Sequence, residues 1–199
     1  MLRPIIWLAL LSVCINGILS TAHARAATPQ AVNLRLADMP TGFKQTRESM
    51  LDDDAAAALD PATSVAGLKS EGQLLENEVR FRQVGAQTGV LAVDATVVQF
   101  TNEHAAGARF SRSTADTRRY VLANRLAALQ PLRVASVGTK YAGWANHPSK
   151  GDTQLQVIVE FYRQRFDVTV ALDERTTHAD TQQLVRLARL VDRRILQSH

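Results

Sequence analysis

Val79 and Phe81 alternate with Glu78, Arg80 and Arg82, the period-two pattern of a half-buried strand. Gly85 to Gly89 supplies a turn. Val90 to Phe100 follows and is apolar on both faces over most of its length, as a central strand is. Asp94 is the exception. The same theme returns later. Leu155, Val157, Val159 and Phe161 alternate with Gln154, Gln156, Glu160 and Tyr162, and Phe166, Val168, Val170 and Leu172 alternate in the next run. The short connection between these runs predicts a tight antiparallel hairpin.

Each hairpin is followed by a helical pattern. Ala105, Ala106, Ala108 and Phe110 form a close-packing face on a helix starting near Asn102. The polar stretch Ser111 to Asp116 predicts a break. Tyr120 to Leu129 resumes the helix with Leu122, Leu126 and Leu129, and Pro131 ends it. The closing helix places Leu184, Leu187, Ala188, Val191 and Ile195 on one stripe, with Thr177 and Asp180 resembling a capping box.

Upstream, Pro40 and Gly42 mark a turn, and Phe43 to Met50 reads as a first strand. Asp52, Asp53 and Asp54 open an alanine-rich helix, where carboxylates suit the positive end of the dipole. Their spacing is not that of a calcium loop. A second short helix covers Ala62 to Lys69. Val134 to Trp144 reads as an irregular strand bent at Gly138 and Gly143, and Asn146 to Asp152 as a loop. These elements predict an α+β domain: a single antiparallel sheet of five to seven strands covered by two long helices, with the hairpin-helix unit occurring twice.

The N-terminus carries a different signal. Arg3 precedes an apolar run from Ile5 to Ile15, and small residues lead to Ala24-Arg25-Ala26, an A-x-A cleavage pattern. The run is shorter than the roughly 20 apolar residues of a bilayer span. Residues 1–26 are therefore read as a signal peptide, residues 27–199 as one exported domain, periplasmic or secreted, and residues 27–33 as a flexible leader. Retention of the segment as an anchor is the alternative. Removal of residues 1–26 leaves 173 residues with net charge +2 and no cysteine, since Cys14 departs with the signal. Disulfides, thiolate ligands and thiol nucleophiles are thereby excluded from the mature chain. So small a net charge gives no case for nucleic acid.

Ala37-Asp38-Met39-Pro40-Thr41-Gly42-Phe43 resembles the "ADLPxGF" opening of a loose group of exported, mostly uncharacterised bacterial proteins. Val97 to Phe100, Ala105 to Phe110 and Val137-Gly138 are similar to later parts of the same pattern. Met39 stands where leucine is usual, and Thr139 where an acid often follows the glycine. The resemblance implies export and an α+β fold, PsbP-like or Mog1-like. It carries no catalytic residues.

Candidate chemistry is sparse. His104, His147, His178 and His199 show no metal-ligand spacing, and neither a nucleophile elbow nor a phosphate loop is present. No metal or cofactor is expected. Asp94 is a possible polar site, either solvent-facing or paired with Arg80 or Arg82 across the hairpin. The most distinctive stretch is Lys140 to Lys150. Its Lys140, Tyr141, Trp144 and His147 put aromatic and basic groups together on an apparent loop, which suits recognition. Arg186, Arg189, Arg193 and Arg194 give the closing helix a basic face, although arginine outnumbers lysine nineteen to four throughout the chain. The functional expectation is a non-catalytic exported module binding a protein, peptide or small ligand. The alternatives are a cofactor-independent hydrolase built on Asp94 or His147, and an envelope-associated protein held to a membrane by the closing helix.

Overall fold

In the computed structural model, which describes residues 27–59, 64–123, 129–132, 137–146, 154–175 and 180–198, seven strands form one antiparallel sheet. They are β1 (Phe43–Leu51), β2 (Gln73–Gln83), β3 (Gly89–Phe100), β4 (Leu129–Pro131), β5 (Lys140–Asn146), β6 (Gln154–Arg163) and β7 (Phe166–Arg175). Their order across the sheet is β1-β2-β3-β7-β6-β5-β4. The helices are α1 (Pro29–Val32), α2 (Asp53–Leu59), α3 (Val65–Glu71), α4 (Glu103–Ala123) and α5 (Thr181–Gln197). The β2-β3 hairpin leads into α4, and the β6-β7 hairpin into α5. The proposed signal segment lies outside the described residues.

One face of the sheet is apolar. Val79 and Phe81 of β2, Val93, Ala95 and Val97 of β3, the alternating residues of β6 and those of β7 are all buried there. The stripe of α5 packs onto this face, and Leu184, Leu187, Ala188, Val191 and Ile195 are each fully buried. The apolar surface of that stripe is covered by the sheet, and the basic residues Arg186, Arg189 and Arg193 lie on the outer side of the helix. Two acids fix the start of α5. Glu174 accepts hydrogen bonds from the Asp180 N–H at 3.1 and 3.0 Å, and Asp180 caps the helix by accepting from the Gln183 N–H at 2.9 Å.

The segment read as a flexible leader is tied down instead. Asn33 is fully buried, and its Nδ2 donates to Asn77 Oδ1 at 2.8 Å and to the Asn77 carbonyl at 3.0 Å. Val32 and Leu34 enter the core beside it. Residues 36–38 then form one 3₁₀ turn, closed by the Arg35 N–H donating to Asp38 Oδ2 at 2.7 Å. Polar side chains that satisfy buried backbone groups give a short segment an anchor that apolar periodicity does not reveal.

Two further expectations differ from the structure. α4 runs unbroken through Ser111–Asp116. The Ser111 and Thr114 hydroxyls donate to the carbonyls of Gly107 at 2.8 Å and Phe110 at 2.9 Å, so both are satisfied inside the helix. Leu129, expected in a helix, begins strand β4, which pairs with β5 at Leu129↔Asn146 and Pro131↔Trp144.

Candidate ligand-binding face

The second face of the sheet is polar, and the strand registers place its residues in rows. One row runs Glu76–Val98–Asp167–Tyr162 across β2, β3, β7 and β6. The next runs Glu78–Thr96–Thr169–Glu160, and a third runs Arg80–Asp94–Ala171–Ile158–Trp144 into β5. Asp167, Glu160 and Trp144 therefore lie on a diagonal, each one strand and one row from the next.

α4 lies along that diagonal. Asn102 starts it, accepting from the Ala105 N–H at 2.9 Å. Ala106 packs with Val98 and Phe100, and the Phe110 and Tyr162 ring centroids are 5.6 Å apart. Gly107 permits this approach, because a Cβ there would stand 3.2 Å from the Tyr162 ring. One turn on, Ser113 Oγ donates to Glu160 Oε2 at 3.1 Å. Further on, the Arg118 guanidinium stands 6.0 Å from the centre of the Trp144 ring.

Three carboxylates sit on or beside this line. Asp167 is 5% exposed, and its Oδ1 accepts no hydrogen bond. Glu160 is 6% exposed. Burial pushes the Asp167 carboxyl well above its ordinary range, and the Glu160 charge adds to this, against Arg109 and a backbone hydrogen bond from Val168. Burial also raises Glu160, opposed by the Ser113 hydrogen bond and by Arg109. Glu76 is pushed up to about 7 by burial and by its neighbour Glu78, with Arg109 and Arg47 opposing. A buried carboxylate without a donor is costly, by about 1–3 kcal/mol or more. Such groups concentrate at functional sites.

Asp94 belongs to a separate, compensated network. Arg80 Nε lies 3.0 Å from Asp94 Oδ1, an ion pair too bent to be a hydrogen bond, and its Nη2 donates to Asp173 Oδ2 at 3.2 Å. Gln156 Nε2 donates to Asp173 Oδ1 at 2.9 Å. The cross-hairpin pairing with Arg80, expected as one reading of Asp94, is the arrangement present.

The aromatic stretch is arranged differently from its sequence reading. Lys140, Tyr141 and Trp144 belong to strand β5, in line with the strand reading of Val134 to Trp144 and not with a recognition loop, and His147 lies outside the described residues. Tyr141 pairs with Phe161 and Trp144 with Ile158, so the two aromatics point to opposite faces of the sheet. Tyr141 is 41% exposed; Trp144 is 8% exposed and lies under α4, with its Nε1 unpartnered. These residues do not form one contact surface. Glu160, Asp167 and Glu76 were not singled out from the sequence. Glu160 alternates with the apolar residues of β6, as a solvent-facing residue does, yet it is covered. The available signal was two acids on one face of a hairpin, together with the small residues Ala105, Ala106 and Gly107 on the helix able to cover them.

Among the described residues no group of three His, Cys, Asp or Glu side chains is placed to hold a metal ion. No described helix is long and apolar enough to cross a membrane. An open hollow of about 740 Å³ runs along α5, lined by Val185, Arg186, Arg189 and Arg193 among others.

No known protein family matches the chain, and no curated protein does. Among solved structures it is similar to the extracellular domain of PknH from Mycobacterium tuberculosis. That match has a TM-score of 0.57 and 11% sequence identity, and covers 88% of this chain and 98% of that domain. The two share a fold.

Proposed function

We propose that the protein is a non-catalytic binding module, exported after cleavage near Ala26, and that its ligand sits on the polar sheet face beneath α4. The observation carrying this reading is Asp167 Oδ1, a desolvated carboxylate oxygen with no donor, on a diagonal with Glu160 and Trp144 under one helix. On the same face Asp94 and Asp173 are both ion-paired to Arg80, whereas no ion pair engages Asp167; a buried acceptor without donor or counter-charge is a place where a ligand supplies the missing bond. The fold likeness to an extracellular domain and the A-x-A pattern at residues 24–26 support the exported setting.

A small-molecule panel titrated into the isotopically labelled protein tests the reading by amide NMR. Shifts clustered on β6, β7 and α4 are expected. Shifts confined to the α5 surface, or none from the whole panel, would remove the site. For the setting, fractionation of cells with N-terminal sequencing is expected to find the chain outside the cytoplasm and starting at Ala27.

A further inference from the structure

Resting on the binding reading above, we propose that the ligand is an organic cation, an amine or guanidinium compound, held by Glu160 and Asp167 with a charged end directed along α4 toward the Trp144 ring. Charge balance comes first. Three carboxyl groups share this face, and among the described residues no ion pair engages any of the three. Arg109 of α4 is the cation whose charge acts on all of them, and it is exposed. The second observation is independent of charge counting. Asp167 Oδ1 is an acceptor buried under the helix with no donor, so the missing partner carries N–H or O–H groups.

The spacing selects the kind of cation. Asp167 and Glu160 are on neighbouring strands one row apart, and Glu76 is two strands from Asp167, about 10 Å at the usual strand spacing. A metal ion gathers its oxygens within about 2.6 Å of one point, which these positions do not offer. An amine or guanidinium spreads its donors over several ångströms and bridges separated carboxylates. Trp144 completes the line, since an indole face attracts a cation, and Arg118 already stands over it.

Entry is provided by the uneven anchoring of α4. Among its described side chains the buried apolar ones are Ala106 and Phe110; from Ser111 to Arg119 no side chain is buried, and the sheet contact at Glu160 is the Ser113 hydroxyl. Lifting this stretch breaks the Ser113–Glu160 hydrogen bond and uncovers the Trp144 ring, without withdrawing a buried side chain of residues 111–119 from the sheet.

The test is calorimetric titration of the purified protein with spermidine and with agmatine. Saturable binding is expected, weakened tenfold or more by Asp167→Asn and by Glu160→Gln and unchanged by Arg186→Ala on α5. Arg109→Gln is expected to tighten it several-fold by removing the competing cation, a gain that no misfolded variant can imitate. Equal affinity in all variants, or no heat with either amine, would overturn the proposal. Saturation by calcium chloride at these carboxylates with the amines silent would overturn it too. If a neutral sugar or citrate instead binds and shifts β6, β7 and α4 in the NMR experiment, the cation class falls and the binding module stands.

Discussion

Arg194, near the end of α5, grips Asp38 near the start of the described chain through two hydrogen bonds, Nη2 to Oδ1 at 2.7 Å and Nη1 to Oδ2 at 2.8 Å. The same Nη1 donates to the Asn33 carbonyl at 2.7 Å, so one guanidinium closes the N-terminal segment onto the last helix. Asp38 is the acid of the Ala37–Phe43 motif, and Met39 and Phe43 of that motif are buried beside it. The motif is thus a clasp, with its acid paired to α5 and its apolar residues in the core.

Asp38→Ala should lower stability by about 2–3 kcal/mol, because it removes charge-assisted bonds and leaves Arg194 without a partner. Burial raises the Asp38 carboxyl, but hydrogen bonds from Arg194 and the Arg35 N–H and both guanidinium charges outweigh it, so the net direction is down. A depressed folded-state value stabilises above the unfolded value and is lost as pH falls through the folded one. Urea midpoints of wild type and Asp38→Ala should therefore converge in strong acid. Parallel curves down to the lowest pH would deny the pairing its role.

Phe161 and Gly138 test the core from two sides. Phe161→Ala should cost about 3–5 kcal/mol, as truncation of a fully buried aromatic does. Gly138 has φ +65°, and a Cβ there would come within 2.6 Å of the Tyr162 carbonyl and 2.7 Å of the Phe161 ring. Gly138→Ala is expected to be as damaging, although it adds one methyl. A midpoint near wild type for Gly138→Ala would mean that the backbone there is free to move.

The core was legible because a period decides it. The alternation in β6 and β7 and the stripe of α5 assign faces without knowledge of the partner. The site was not legible because the same alternation says nothing about what covers the other face. Glu160 and Asp167 look like solvent-facing alternates until α4 is laid over them, and the polar stretch Ser111 to Asp116 suggests a break in that helix. Trp144 reads as part of a recognition surface because it adjoins the expected loop at Asn146 to Asp152, whereas pairing with β6 holds Lys140–Asn146 extended. The N-terminal clasp depends on Asn33 and Asp38, whose partners lie 44 and 156 positions away.

The acids of the polar face predict a pH dependence of the opposite sign to that of Asp38. Glu76, Asp94, Glu160 and Asp167 are all raised, chiefly by burial, with Glu76 reaching about 7 from an ordinary 4.5. In that interval the folded state holds more protons than the unfolded one, so stability falls as pH rises. The urea midpoint should decline between pH 5 and pH 8, and Glu76→Gln should flatten the decline. A midpoint that rises steadily over this range would show that these carboxyls ionise freely.

Trp144 gives the most direct optical check on the polar face. The other tryptophan, Trp7, lies in the proposed signal segment, so the processed chain, or Trp7→Phe in the full one, reports Trp144 alone. At 8% exposure beneath α4 the indole should emit toward the blue and resist quenching by iodide. An exposed loop tryptophan would do the reverse. Lifting of the far half of α4 should be visible in the same signal. Phe110→Ala removes that helix's aromatic anchor on Tyr162, and it is expected to shift emission to the red and admit iodide. Unchanged emission in this variant, with the fold retained by circular dichroism, would mean that the cover over Trp144 does not depend on α4.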